Sequence, residues 1–258
     1  MRIRMFSLLA GAIALSAMRV AIADPPQFKV LLITTTNGWH HEAIADAVPA
    51  IRDLAAKHQF ELVWEENVER MFTAKNLEDF DLVMFVLTTG NILNAGQQAV
   101  MEEFIRSGKG FVGVHSASDT EYEWPWYTQL LGRMFRIHPV IQTAEVSVLD
   151  RKFPGLERMP DRFLFTDEWY EFGEETTAGL NYILSIDERS YDPVAQWDAK
   201  SGKGMGEFHP VAWHHEFDGG RSFYTALGHV PAVFRDELFL EHLYGGIYWA
   251  ATGKGLKQ

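Results

Sequence analysis

Four short apolar runs, spaced by turns and by segments of helical periodicity, leave the first 115 residues very few folds to choose from. Phe28 to Thr34 (FKVLLIT) is almost unbroken hydrophobic sequence, and such a run reads as a strand buried on both faces. Glu42 to Lys57 follows with Ile44, Val48, Ile51, Leu54 and Ala55 on one helical face. Pro49 falls inside that segment, where a kink is expected. Phe60 to Trp64 and Asp81 to Leu87 are the second and third runs, and Gly110 to His115 is the fourth. Between the last two, Asn94 to Ser107 reads as a helix with Val100, Phe104 and Ile105 inward and Gly108 as its stop. The order β-α-β-β-α-β with short connections specifies an α/β fold, an open and mostly parallel sheet with helices on both faces.

From Ser116 to Gly220 the pattern changes. Val140 to Leu149, Arg162 to Thr166 and Asn181 to Ile186 read as strands. Trp124-Pro125-Trp126 excludes a long helix, and Ser201 to Gly206 reads as a flexible, glycine-rich turn. This stretch is an α+β insertion or extension of the same domain. Asp218-Gly219-Gly220 signals a hairpin between Val211–Phe217 and Arg221–Leu227. Phe234 to Ala250 closes the sequence as an amphipathic helix. No repeat or linker marks a second domain, so the expected division is residues 1–23 as a signal peptide and 24–258 as one domain.

The signal peptide rests on Arg2 and Arg4, an apolar stretch from Met5 to about Met18, and Ala21-Ile22-Ala23 before Asp24. The apolar run is short for a bilayer span and Arg19 interrupts it. The mature protein is therefore expected to be periplasmic or secreted, with no stable membrane insertion. Cleavage removes three arginines and moves the formal charge from −12 to −15. So acidic a chain lacks the basic face that a nucleic-acid partner needs. With 0 cysteines there is no disulfide, no thiolate nucleophile and no Cys-type zinc site. Nothing in the sequence fixes an oligomeric state, and an oligomer is compatible with it.

In open α/β sheets ligands bind beyond the carboxyl ends of the strands. The polar residues just after the expected strands are therefore the candidates for a site. His40 and His41 follow the first strand beside Trp39; His115, Ser116 and Asp119 follow the fourth; His229 follows Arg221–Leu227. Histidine at three such places marks His40, His115 and His229 as a working set. His41 reads as a cap of the next helix. His138, in Arg136-Ile137-His138-Pro139, and the sequence Asp167-Glu168-Trp169-Tyr170 add further candidates from the middle segment. His58, His209, His214, His215 and His242 read as surface or hairpin residues.

Imidazoles with a carboxylate hold a divalent metal such as zinc or manganese, and equally serve as general acid and base near neutral pH. His40, His115 and His229 are the candidate metal ligands. His115, His229 and Asp119 are the candidate catalytic residues, and Trp39, His40, His138, Glu168 and Tyr170 are the candidate substrate contacts. No HExxH is present, so spacing permits a metal without demanding one. Gly113-Val114-His115-Ser116-Ala117 is not a nucleophile elbow, and the absence of GxGxxG and of a Walker lysine excludes a nucleotide cofactor. Trp39, Trp124, Trp126, Trp169 and Tyr170 near these loops suit a sugar, whose C–H faces pack on aromatic rings. They equally suit the core of a compact insertion.

The chain resembles the ThuA-like (trehalose utilisation) family. The likeness is carried by Thr36-Asn37-Gly38-Trp39-His40-His41, the run from Gly108 to Asp119, Phe135-Arg136-Ile137-His138-Pro139, Asp167-Glu168-Trp169-Tyr170 and the run from Gly220 to His229. It implies a three-layer, flavodoxin-like sandwich akin to class I glutamine amidotransferases. In that superfamily a cysteine follows the strand that here ends at His115, and a histidine follows the strand that here ends at Leu227. His229 fits the second position, His115 replaces the cysteine, and amidotransferase chemistry is closed to this chain. The resemblance also implies disaccharide utilisation alongside dehydrogenases that make 3-keto sugars. The expected function is cleavage or isomerisation of a keto-sugar, as hydrolase, lyase or isomerase. The alternatives are a sugar-binding domain without catalysis and an interaction domain with an incidental histidine cluster.

Overall fold

The computed structural model describes residues 25–256; the expected signal peptide lies outside them. The first half follows the expected order. β1 (Lys29–Ile33), α1 (Ile44–His58) and β2 (Glu61–Glu65) lead into two one-turn helices, α2 (Val68–Met71) and α3 (Ala74–Leu77). Then come β3 (Leu82–Val86), α4 (Ala95–Arg106) and β4 (Gly110–Val114). β3 and β4 are buried at every position, which is why their sequences show no alternation. α2 and α3 are too short to leave a readable period. Asn94 and Gln97 start α4 with a reciprocal capping box. Pro49 sits on the exposed side of α1, and the helix runs on to His58.

The second half contains α5 (Pro125–Leu131), β5 (Phe135–Ile137), β6 (Gln142–Val148), β7 (Arg162–Asp167), β8 (Glu171–Phe172) and β9 (Asn181–Asp187). It continues with β10 (Ala195–Gln196), β11 (Ser201–Gly202), β12 (His209–Phe217), β13 (Gly220–Thr225) and α6 (Glu237–Thr252). The proline and tryptophans at 124–126 start a helix as well as forbidding a long one: Pro125 takes the first turn of α5, where a missing N–H costs nothing. The segment 201–206 is no free turn, because β11 pairs with β10.

Nine strands form one sheet in the order β2-β1-β3-β4-β13-β12-β9-β6-β7. β2, β1, β3, β4 and β13 are mutually parallel, and every later neighbour pairs antiparallel, so only β12 and β6 run against the rest. The middle segment is thus an extension of the main sheet. The chain moves outward in opposite directions from β1 and β3, and right-handed crossovers then put α1 and α4 on opposite faces. α6 lies with α1, and α5 lies with α4, to which it is tied by a bond from Trp124 Nε1 to Glu102 Oε1 of 3.1 Å. Because β7 runs with the parallel strands, its carboxyl end faces the same edge as those of β1, β4 and β13.

Candidate active site

β4 ends at Val114, and His115 then turns left-handed with φ +50°. That conformation costs a non-glycine residue about 1–2 kcal/mol, and such strain persists where the surroundings over-determine it. Here Tyr224 Oη donates to the His115 carbonyl at 2.8 Å. The His115 ring is fully buried, with Nδ1 at 2.8 Å from the Ala226 carbonyl. A carbonyl only accepts, so Nδ1 carries a proton. Tyr170 Oη lies 2.8 Å from the ring's Nε2.

Glu168, the residue after β7, gathers three imidazoles. Its Oε1 lies 3.1 Å from His138 Nδ1, and its Oε2 lies 3.1 Å from His229 Nδ1 and 3.4 Å from His115 Nε2. Burial works to raise the Glu168 carboxyl, but its bonds to His115 and His229 outweigh burial and hold it well below the usual carboxylate range. Desolvation works to lower His229, and its bond to Glu168 reverses the sign, so His229 is raised. His138 is lowered, because burial outweighs the attraction of Glu168.

Asp167 points the other way. Its carboxylate accepts from the backbone N–H of Gly228 at 2.7 Å, of Val230 at 3.0 Å and of Glu168 at 3.0 Å. It therefore pins the loop that carries His229 to the end of β7. Gly228 adopts φ +122°, open to glycine and strained for any other residue.

The strand-end rule finds these loops but misassigns one neighbour. His40 is exposed, with Nδ1 3.1 Å from Thr36 Oγ1, and stays outside the cluster. His41 turns inward and meets His115 and His229 edge to face at centroid distances of 5.1 and 5.3 Å. Burial, then the neighbouring His115 and His229, lower His41 to about 3. Ligand atoms of His41, His115 and His229 all lie within 4.8 Å of one another. His40, expected among them, thus lies outside the cluster, and His41 stands with His115 and His229 in its place.

The cluster forms the floor of a 520 Å³ pocket reached by His41, His138, Glu168, Tyr170 and His229. Its walls are Trp39, Asp119, Phe135, Trp197 and Lys200. Trp39 is 70% exposed on a loop held by hydrogen bonds to Thr89, and Trp197 packs edge-on against His138 at 4.9 Å. Trp124, Trp126 and Trp169 lie elsewhere: the first two stack on each other at 5.2 Å, and Trp169 is core. Phe135, Trp197 and Lys200 escape the strand-end rule because they reach the pocket from β5 and from the β10–β11 hairpin. One buried carboxylate and one half-buried carboxylate hold that hairpin. Glu171 Oε2 accepts from Gly204 N at 2.9 Å, and Glu188 accepts from Met205 N and Gly206 N. His209 lies between, with Nδ1 2.7 Å from Glu188 and Nε2 2.8 Å from the Tyr170 carbonyl. His209, His215 and His242 are buried, contrary to their reading as surface residues, because β12 is an inner strand and α6 covers the sheet. A wider depression of 720 Å³ over Ser147, Arg162 and Ser185 gathers no imidazole.

The sequence model of ThuA, described as trehalose utilisation, matches residues 29–250. Among solved structures, a ThuA-like protein from Bacteroides uniformis is similar at TM-score 0.73 and 19% identity, over 89% of this chain and 93% of that one. A ThuA-like protein from Parabacteroides merdae is similar at TM-score 0.67 and 18% identity, over 91% and 93%. A β-galactosidase from Bacillus circulans shares the fold at TM-score 0.54 and 15% identity, over 88% of this chain and 31% of that one. No curated protein sequence matches the chain.

Proposed function

The chain belongs to the ThuA family, that of trehalose utilisation, and from that premise we propose that it is an enzyme that cleaves or isomerises a keto-sugar derived from a disaccharide or glycoside. The observation that carries this reading is a single buried carboxylate, Glu168, in contact with three imidazoles under a pocket with indole walls. A ketone at C3 of a sugar acidifies the C2 proton. Removing that proton needs a base that is neutral at pH 7 and open to the pocket. His138 meets both conditions: burial lowers it, its Nδ1 is engaged by Pro139 O and Glu168, and its Nε2 is left as the base. The remaining groups have other work. His115 is sealed beneath Tyr170, and Glu168 biases His229 toward its cation, whose extra proton a bound metal would displace.

The same floor fits a divalent metal, zinc or manganese. Three donor atoms of His115, His229 and Glu168 are spaced 3.1, 3.1 and 3.4 Å apart. Tetrahedral ligands at zinc distances stand about 3.4 Å apart. The bond from His115 Nδ1 to a backbone carbonyl is the outer contact that fixes a ligating histidine. A bound ion would polarise the sugar carbonyl and steady the enediolate. We assign His115, His229 and Glu168 to this ion, with His41 within reach, and place the enzyme outside the cytoplasm on the signal-like residues 1–23.

The test is turnover of 3-keto-trehalose and 3-keto-glucosides by untagged protein, apo and loaded with zinc or manganese. His115→Ala is expected to lose both bound metal and activity. His138→Ala is expected to keep the metal and lose about 10²–10⁴ in kcat. Binding followed by Trp39 and Trp197 fluorescence, with no turnover under any metal, would support a sugar-binding domain instead.

A further inference from the structure

The wall that brings Trp197 and Lys200 to the pocket has little buried apolar surface of its own. Between Val194 and Lys200 only Ala195 is buried, and every other residue is exposed. The hairpin closes through Trp197 N to the Lys200 carbonyl at 2.8 Å, which fixes its shape and not its place. Its place is set by backbone N–H groups aimed at carboxylates. Gly204 N donates to Glu171 Oε2 at 2.9 Å, Met205 N to Glu188 Oε1, and Gly206 N to Glu188 Oε2 at 2.8 Å. Gly204 has φ +83°, and a methyl group there would come within 2.6 Å of all three atoms of the Glu188 carboxyl. Backbone and carboxylate are thus as close as glycine allows.

Glu188 follows β9 directly, and a buried imidazole on β12 aims it. His209 Nε2 is 2.8 Å from the Tyr170 carbonyl, which only accepts, so Nε2 carries a proton and donates. His209 Nδ1 is 2.7 Å from Glu188 Oε1, with Tyr191 Oη farther off at 3.2 Å. An unbroken chain of hydrogen bonds therefore runs from Tyr170 through His209 and Glu188 to the hairpin. We infer that Glu188 and His209 are positioning residues, which register the wall bearing Trp197 and Lys200 against the floor bearing Glu168 and Tyr170. Neither lines the pocket.

The fixed end of the chain is Tyr170, buried over the His115 ring at a centroid distance of 4.3 Å. The held end is Trp197, edge-on to His138 at 4.9 Å, with Lys200 beside it. A segment with few buried apolar contacts opens readily unless polar bonds seat it. What seats this one is the Glu188 carboxylate, and what aims that carboxylate is the Nδ1 side of His209 rather than the bulk of its ring. The consequence for turnover rests on the keto-sugar reading above. A loosened wall weakens the hold on substrate and transition state alike, so it raises KM and spares kcat.

Trp197 reports the wall without any substrate. The chain has 8 tryptophans, so each variant is paired with the same variant carrying Trp197→Phe, and acrylamide quenching of the difference emission is read. Asparagine places its amide nitrogen where Nδ1 stands, and glutamine where Nε2 stands. His209→Asn therefore keeps a donor for Glu188, and His209→Gln keeps the donor for Tyr170. His209→Gln, Glu188→Ala and Gly204→Ala should each raise the quenching constant of Trp197 by about 1.5-fold or more, and His209→Asn should raise it less than His209→Gln. A packing role for His209 predicts the reverse order, because asparagine leaves the larger void. An equal or reversed order, or an unchanged Trp197 in Glu188→Ala, overturns the inference. With 3-keto-glycosides, His209→Gln should raise KM by about 10-fold and leave kcat within about twofold. A loss confined to kcat would refute a role in the wall. If the wild type turns over no keto-sugar, the functional reading fails, and the Trp197 arm alone decides the role of Glu188 and His209.

Discussion

At the scale of single residues, the site depends on a side chain that never meets the pocket. Asp167 is fully buried and satisfies three backbone N–H groups, two of them in the loop that carries His229. Asp167→Ala strands those donors, and each stranded buried donor costs about 1–3 kcal/mol. The expected outcome is a loss of at least about 3 kcal/mol, read as a lower urea midpoint, with His229 displaced from Glu168. The sequence names the pair Asp167-Glu168 as a candidate but does not divide their roles. Neighbours in an extended chain point opposite ways, and only the position of Gly228 decides which one faces it. The same limit explains His40 and His41. A rule about strand ends identifies a loop, and the inward member of an adjacent pair is set by contacts from His115 and His229, distant in the sequence.

Among the elements, α6 is the one seated most closely. A methyl group on Gly245 would overlap the carbonyl of Pro154, and one on Gly246 would overlap the ring of Phe223. The obstacle at Gly245 is backbone, which cannot rotate away. Gly245→Ala is expected to cost about 1–3 kcal/mol through overpacking, despite its better helix propensity. Gly255→Ala, where nothing lies within 4 Å, serves as the control in the same unfolding experiment. Elements were legible in the sequence in proportion to their burial. β1, β3 and β4 are covered on both faces and show as plain apolar runs. β7 alternates exposed and half-buried residues and shows as a weaker signal. The two-residue strands β8, β10 and β11 carry no period at all, yet β10 and β11 frame the loop that brings Trp197 and Lys200 to the pocket.

For the molecule as a whole, the resemblance to ThuA proteins was readable from motifs spread over the chain, and the family match and the fold agree with it. The joining of the middle segment to one nine-stranded sheet was not readable, because strand order depends on pairings between distant segments. The chain has no cysteine, so its stability rests on the core, and that core encloses neutral histidines. Burial lowers His242 to about 3 and His215 to about 4. The unfolded chain takes up these protons near pH 6.5 and the native state does not. Stability is therefore complete above that pH and falls as the pH drops toward the folded values. His242 alone removes about 2 kcal/mol at pH 5, so the urea midpoint should fall steeply between pH 7 and pH 5. A flat profile there would mean that His242 has a proton acceptor or water in its cavity. The floor of the pocket is drawn from the loops after β1, β4, β7 and β13, the first strand of the sheet and the last among them. Completion of the pocket is thus an all-or-none property of the folded domain. A polypeptide still emerging from the ribosome, or halted before β13 has seated against β4, lacks a complete pocket floor however much of its sheet has formed.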